Sequence, residues 1–245
     1  MRKSSRSSLS AFTLVELLVA IAITVLIVTL LSSVFNAAGK QWQASDQRID
    51  SFRDARAALQ VIARDLSRAD TNGAAQMLTL SDIDATGNYA KEVFAVTPIP
   101  NGGKSDLCAV GFYCTWDNTS KTYTLKRLFR NSDDTVASLA KASPDFTALF
   151  TKAATNEEDL ASCAWDLRFA PGTQYDAETP TTNPSTKWHW LEVRFKSMSG
   201  GAARKLRYMN VSQATWDDPA DPTYRIGILP YEQQFVTRVN LHQGP

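Results

Sequence analysis

Nineteen consecutive residues without a charge, Leu17 to Phe35, constrain this chain more than any other feature in it. They lie within SAFTLVELLVAIAITVLIVTLLSSVFNA, Ser10 to Ala37. As a helix rising about 1.5 Å per residue they cover about 28 Å, close to the thickness of a bilayer's hydrocarbon core. One carboxylate, Glu16, stands at the start of the run. A carboxylate at the edge of an apolar segment is costly to keep there, so it needs a partner or a task. Arg2, Lys3 and Arg6 precede the run and no acid does, which favours a cytoplasmic N-terminus and sends the remainder across the membrane. Without those three cations, 23 of the 26 Lys and Arg remain against 25 Asp and Glu, so the rest of the chain is slightly acidic. It offers no electrostatic footprint for nucleic acid.

A basic segment followed by an apolar one also opens secretory signal peptides. This run is longer than a typical signal core of about 7–15 residues. The weak cleavage site Ala37-Ala38-Gly39 is followed by more helix-compatible sequence, and no proline occurs before Pro98. Trp42, Ile49, Phe52, Leu59, Ile62 and Leu66 fall at spacings of 7, 3, 7, 3 and 4, one face of an amphipathic helix. Arg48, Arg53, Arg56, Arg64 and Arg68 occupy other faces, interleaved with Asp46, Asp50, Asp54 and Asp65. Thr71-Asn72-Gly73 supplies a stop.

Ala11-Phe12-Thr13-Leu14-Val15-Glu16, behind its short basic leader, resembles the processing site of type IV prepilins and pseudopilins. The resemblance implies cleavage between Ala11 and Phe12 by a membrane prepilin peptidase and N-methylation of Phe12. It makes Glu16 the assembly residue, pairing with the terminal amine of a neighbouring subunit. The family's usual residue before the cut is glycine; Ala11 departs from it but keeps the small size, so processing is expected. RAALQVIARDLSRAD, Arg56 to Asp70, is similar to the helix end of the J-type minor pseudopilin of type II secretion systems. YEQQFVTRVNL, Tyr231 to Leu241, is faintly similar to that subunit's closing strand.

The fold class implied is α+β and pilin-like, with a long N-terminal helix packed on an antiparallel sheet. Its divisions are a leader at 1–11, a transmembrane helix at 12–35, an amphipathic continuation at 36–70 and a β-rich head at 71–245. The implied function is structural, that of a minor pilin or pseudopilin in a type II secretion or type IV pilus-like fibre. The partners this implies are the prepilin peptidase, other such subunits bound through the N-terminal helix, and inner-membrane lipid, with no nucleic acid expected. The expected location is the bacterial inner membrane, single-pass with a periplasmic head, and no enzymatic activity is expected. The alternative is a signal-anchored periplasmic binding protein or enzyme.

In the head, Glu92–Thr97, Leu107–Thr115, Thr122–Arg130, Cys163–Phe169, Trp188–Ser197 and Ala203–Asn210 alternate as strands do. Ser199-Gly200-Gly201 reads as a hairpin turn between the last two. Leu191, Val193 and Phe195 mark a packed face, with Trp188 and Trp190 on the opposite one, either exposed or covered by the Pro- and Thr-rich loop 170–187. Ser132–Ala161 and Asp217–Tyr224 read as further polar insertions, the former with a short helix at Phe146–Ala154.

Candidate chemistry is sparse. His189 and His242 belong to no metal-spacing pattern, and no nucleophile elbow, phosphate loop or C-x-x-C pair is present. Asp82, Asp84 and Gly87 begin like a calcium loop, but Val93 stands where the bidentate Glu is required. Asp217, Asp218 and Asp221 form a second acidic group. Neither is taken as a metal site, and no cofactor is expected. Cys108 and Cys114 are a candidate disulfide that leaves Cys163 over, with other pairings equally open.

Overall fold

The computed structural model describes residues 13–69, 78–83, 89–100, 105–140, 149–152, 156–172, 189–209 and 211–241. Two compact units divide at Asp46 and Gln47. Helix α1 runs from Leu14 to Leu66. Its length follows from a sequence without proline and with Gly39 as its one glycine. In the first unit it has no covering layer: the large apolar side chains from Leu14 to Phe35 are exposed, Leu14 and Phe35 each at 73%.

In the second unit eight described strands form one antiparallel sheet. They are β1 (Leu78–Ile83), β2 (Ala90–Pro98), β3 (Leu107–Asp117), β4 (Thr122–Arg130), β5 (Glu157–Ser162), β6 (Ala164–Gly172), β7 (Trp190–Ser197) and β8 (Gln233–Asn240). The order is β5-β4-β3-β2-β6-β7-β8, with β1 paired to β2. The chain therefore adopts the expected α+β arrangement of a long N-terminal helix followed by an antiparallel sheet.

One sheet face packs on the C-terminal part of α1. Ser51, Ala55, Ala58, Ile62, Leu66 and Ala69 are buried at three- and four-residue intervals. The apolar ones, from Ala55 on, meet Val93, Val110, Phe112, Leu125, Phe169, Leu191, Val193, Phe195 and Phe235. The expected helix stripe is correct at Leu59, Ile62 and Leu66 but not lower down, where Ile49 is exposed and Phe52 is half-covered, edge-on to Phe235 at 5.3 Å. The buried stripe runs there through Ser51, Ala55 and Ala58 instead, so the lower contact is made by small side chains.

Asp65 was expected on a solvated face and is instead 1% exposed. Arg127 of β4 donates to it through Nε at 2.9 Å and Nη2 at 2.8 Å, and Arg64 through Nε at 2.9 Å. Thr97 Oγ1 donates to the Asp65 carbonyl at 3.0 Å. This buried cluster ties the end of α1 to β2 and β4.

Three other expectations are corrected, and one open choice is decided. Ala203–Asn210 is not a strand: helix α3 covers Gly200–Tyr208, following α2 at Ser132–Leu139, and Ser199 caps it instead of turning a hairpin. Ala202, Ala203 and Leu206 are buried at helical spacing, whereas Tyr208, two positions beyond Leu206 and so on the same face of any strand, is 90% exposed. The insertion 132–161 holds α2, capped by the Asn131 side chain, and all but one residue of β5; the short helix expected at Phe146–Ala154 lies largely outside the described residues. Of the two readings open for Trp190 the covered one holds, with the Arg238 guanidinium 4.2 Å above its ring and Gly172 closely beneath it; Trp188 lies outside the described residues. Finally, Cys108 and Cys114 are not bonded to each other. Both lie on β3, six positions and so about 20 Å apart along an extended strand, beyond the roughly 7 Å Cα separation that a disulfide spans. Cys108 Sγ donates to the Ile99 carbonyl at 3.4 Å.

On the other sheet face, Tyr113 is fully buried and donates to Glu157 Oε1 at 2.6 Å, while Lys126 pairs with Glu157 at 3.1 Å. Burial opposes the Glu157 charge, but the Tyr113 hydroxyl and the Lys126 ammonium outweigh it and hold the carboxyl below its usual range. A carboxylate with a depressed folded pKa adds stability above the unfolded value, about pH 4.3, and loses it as pH falls through the folded value. Tyr113→Phe is therefore expected to cost about 1–2 kcal/mol at pH 7, with the gap to the native chain shrinking by pH 3. Urea unfolding at the two pH values measures this; a gap that is constant or widens in acid refutes it.

Candidate functional site

The N-terminal end of α1 carries the residues that the sequence singled out. Ala11 and Phe12 lie outside the described residues. Thr13 immediately precedes the helix and Glu16 is its third residue. Thr13 donates to Glu16 Oε2 through its backbone N–H at 3.0 Å and its hydroxyl at 2.9 Å, and Glu16 N–H donates back to Thr13 Oγ1 at 3.3 Å. This is a reciprocal capping box, which satisfies two backbone donors at the start of the helix. Its sequence signal, a Thr followed three residues later by Glu before an apolar run, is readable in Thr13-Leu14-Val15-Glu16. Both Thr13 donors fall on Oε2, so Oε1 accepts nothing among the described residues.

Beyond the cap, the helix is long and apolar enough to cross a membrane. Its hydroxyls turn inward on the backbone: Thr24 donates to the Ala20 carbonyl at 2.7 Å, Thr29 to Val25 at 2.7 Å and Ser33 to Leu30 at 2.7 Å. In hydrocarbon, where no water can serve them, polar side chains need this kind of partner.

A second candidate lies on the head. A cavity of about 440 Å³ opens between the sheet, helix α4 (Gln213–Asp217) and Tyr224, which begins a π-helical turn (Tyr224–Ile228). Trp116, Tyr123 and Trp216 pack edge-to-face with centroids 5.2–6.3 Å apart, and Trp165 meets Trp216 at 4.9 Å. Asp166, at a positive φ of 52° in a β6 bulge, pairs with Lys196 at 3.3 Å and Arg168 at 2.6 Å. Lys196 also pairs with Glu232 at 3.1 Å, and Glu232 accepts from the Tyr224 hydroxyl at 2.5 Å. These ionic groups are committed to one another. Burial pushes the Cys114 thiol, on the cavity wall, up to about 12, so it stays protonated at neutral pH.

The acidic groups weighed as metal sites are otherwise engaged. Asp217 accepts from Tyr123 at 2.7 Å, Asp218 from Ala220 N–H at 2.9 Å and Asp221 from Thr223 N–H at 2.6 Å. Asp82 pairs with Lys91 at 3.6 Å, and Asp84 and Gly87 lie outside the described residues. His189 sits half-buried at the start of β7, its N–H donating to the Gly172 carbonyl at 2.9 Å, and His242 is outside the described residues.

The fold and these two regions define an α+β protein with one exposed, membrane-length apolar helix preceding an antiparallel sheet. Comparison with protein-family models and with curated proteins finds no match to this chain.

Proposed function

We propose that the chain is a minor pilin or pseudopilin, a structural subunit of a type II secretion or type IV pilus-like fibre and most like the J-type subunit. A prepilin peptidase removes residues 1–11, Phe12 becomes the methylated N-terminus, and subunits bundle through α1. The subunit waits in the inner membrane, N-terminus cytoplasmic and head periplasmic, until it is drawn into the fibre. The observation that carries this reading is Glu16: a carboxylate at the mouth of an exposed apolar helix, with one oxygen held by Thr13 and the other turned to no described group. A neighbour's amine would offset the charge that Glu16 otherwise leaves uncompensated at the membrane edge.

The alternative, a signal-anchored periplasmic binding protein, draws on the aromatic cavity of the head. Mass spectrometry of the mature N-terminus, after co-expression with a prepilin peptidase, separates the two. An N-methylated terminus at Phe12 is expected. A terminus near Ala38, or an uncut chain, would end the fibre reading and turn attention to the cavity.

A further inference from the structure

Helix α3 and the π-helical turn present an unusual surface. α3 carries Arg204, Lys205 and Arg207 and no acid, and Arg225 lies on the adjoining turn. Among the described residues none of these four pairs with a carboxylate. Arg204, Arg207 and Tyr208 stand at i, i+3 and i+4 and so share one helix face. Tyr208 is 90% exposed and Ile226 76%, and Met209 and Leu229 are exposed beside them. Gly227 brings the two segments together: a Cβ there would lie 3.0 Å from Leu206 Cδ2 and 3.9 Å from Met209 Cε. The Lys205 ammonium also reaches the Tyr231 hydroxyl at 3.2 Å. The patch thus comprises the exposed outer side of α3, at Arg204, Arg207 and Tyr208, and the flank where Lys205 and Met209 adjoin the turn.

The patch has a definite place in the fold. The first turn of α3 packs on α1 at Gln47, where a side chain on Gly201 would collide with the Gln47 amide. Nearby, Phe52 of α1 meets Phe235 at the start of β8, which pairs with the end of β7. Gln47 is the residue at which the chain enters this unit, twelve positions beyond the end of the apolar run at Phe35. The first turn of α3 therefore lies beside the residue at which the chain enters this unit.

We propose that α3 and the π-helical turn form a docking face for anionic phospholipid headgroups, seating the head on the membrane that holds α1. The proposal rests on the reading that 17–35 spans a membrane. Its chemistry is that of an interfacial surface: guanidinium and ammonium groups take phosphodiesters, tyrosine sits at headgroup level, and Ile226 and Leu229 enter the acyl boundary. A cation held near an anionic surface shifts the docked equilibrium about fivefold.

The full chain is reconstituted in bilayer nanodiscs of phosphatidylcholine alone or of phosphatidylcholine with equimolar phosphatidylglycerol, and amide hydrogen exchange is followed. The expected result is at least about fivefold slower exchange across 200–209 and 224–229 in the anionic discs, with β3 and β4 unchanged. High salt is expected to abolish the difference, as is the combined Arg204→Glu, Arg207→Glu and Arg225→Glu variant, whose β3 and β4 exchange reports that it folds. Equal exchange in the two discs overturns the proposal and leaves the patch to an acidic protein partner. Protection that persists in the charge-reversed variant also overturns it. A chain that elutes apart from both discs has no membrane anchor, so the spanning reading fails and the proposal falls with it.

Discussion

Asp65→Ala is expected to destabilise the head by about 3–5 kcal/mol, a large share of the stability of a domain this size. The carboxylate is 1% exposed and is the principal partner of the buried Arg127, whose other acidic contact is Glu158 at 3.2 Å. Alanine removes one charge and strands the other in a low-dielectric interior, and this stranded charge dominates the loss. Replacing both partners, as Asp65→Leu with Arg127→Met, is expected to recover most of it, because two charges then leave the interior together. Arg64→Ala is expected to cost at most about 1 kcal/mol, since Arg64 is half-exposed and water replaces its contact. Urea midpoints with unchanged slopes for the three variants measure the series. An Asp65→Ala midpoint close to that of Arg64→Ala would refute the assignment of the cluster as the lock between helix and sheet.

The same residue shows why the sequence was legible only in part. The antiparallel strands near 107–115, 122–130 and 190–197 and the buried set Leu191, Val193 and Phe195 follow from local alternation, which a half-buried sheet imposes on any sequence, and the upper part of α1 follows from its three- and four-residue period. Asp65 looks like its solvated neighbours Asp50 and Asp54; only Arg127, 62 positions away, makes it a core residue. α3 was misread because Leu206 and Tyr208 satisfy a strand's period over too few residues to exclude a helix, and the Ser199 cap decides the matter. Trp190 was open between two readings because what covers it, Arg238 with Gly172, comes from other strands. At the candidate site the reverse holds. Glu16 and the apolar run were conspicuous in the sequence, and what the structure adds is the Thr13 cap, a second explanation for the same carboxylate.

Those two explanations predict different behaviour for Glu16→Gln. Glutamine at this position can still accept from the Thr13 N–H, so the capping box survives while the charge is lost. If the carboxylate serves only the cap, Glu16→Gln assembles like the native chain, and Glu16→Ala and Thr13→Val are the impaired variants. If Oε1 compensates a neighbour's amine, Glu16→Gln fails as Glu16→Ala does. The expected loss is about tenfold to hundredfold in subunit association, the range of one charge-assisted hydrogen bond. Thr13→Val then keeps the charge and loses only the cap, so its association is expected to stay within a few-fold of native. Site-specific cross-linking between α1 helices in membranes, normalised to the processed chain, reads all three variants. The expected order is native, then Thr13→Val, with Glu16→Gln and Glu16→Ala together far below. Near-native cross-linking of Glu16→Gln would reduce Glu16 to a helix cap and remove the main residue-level support for assembly.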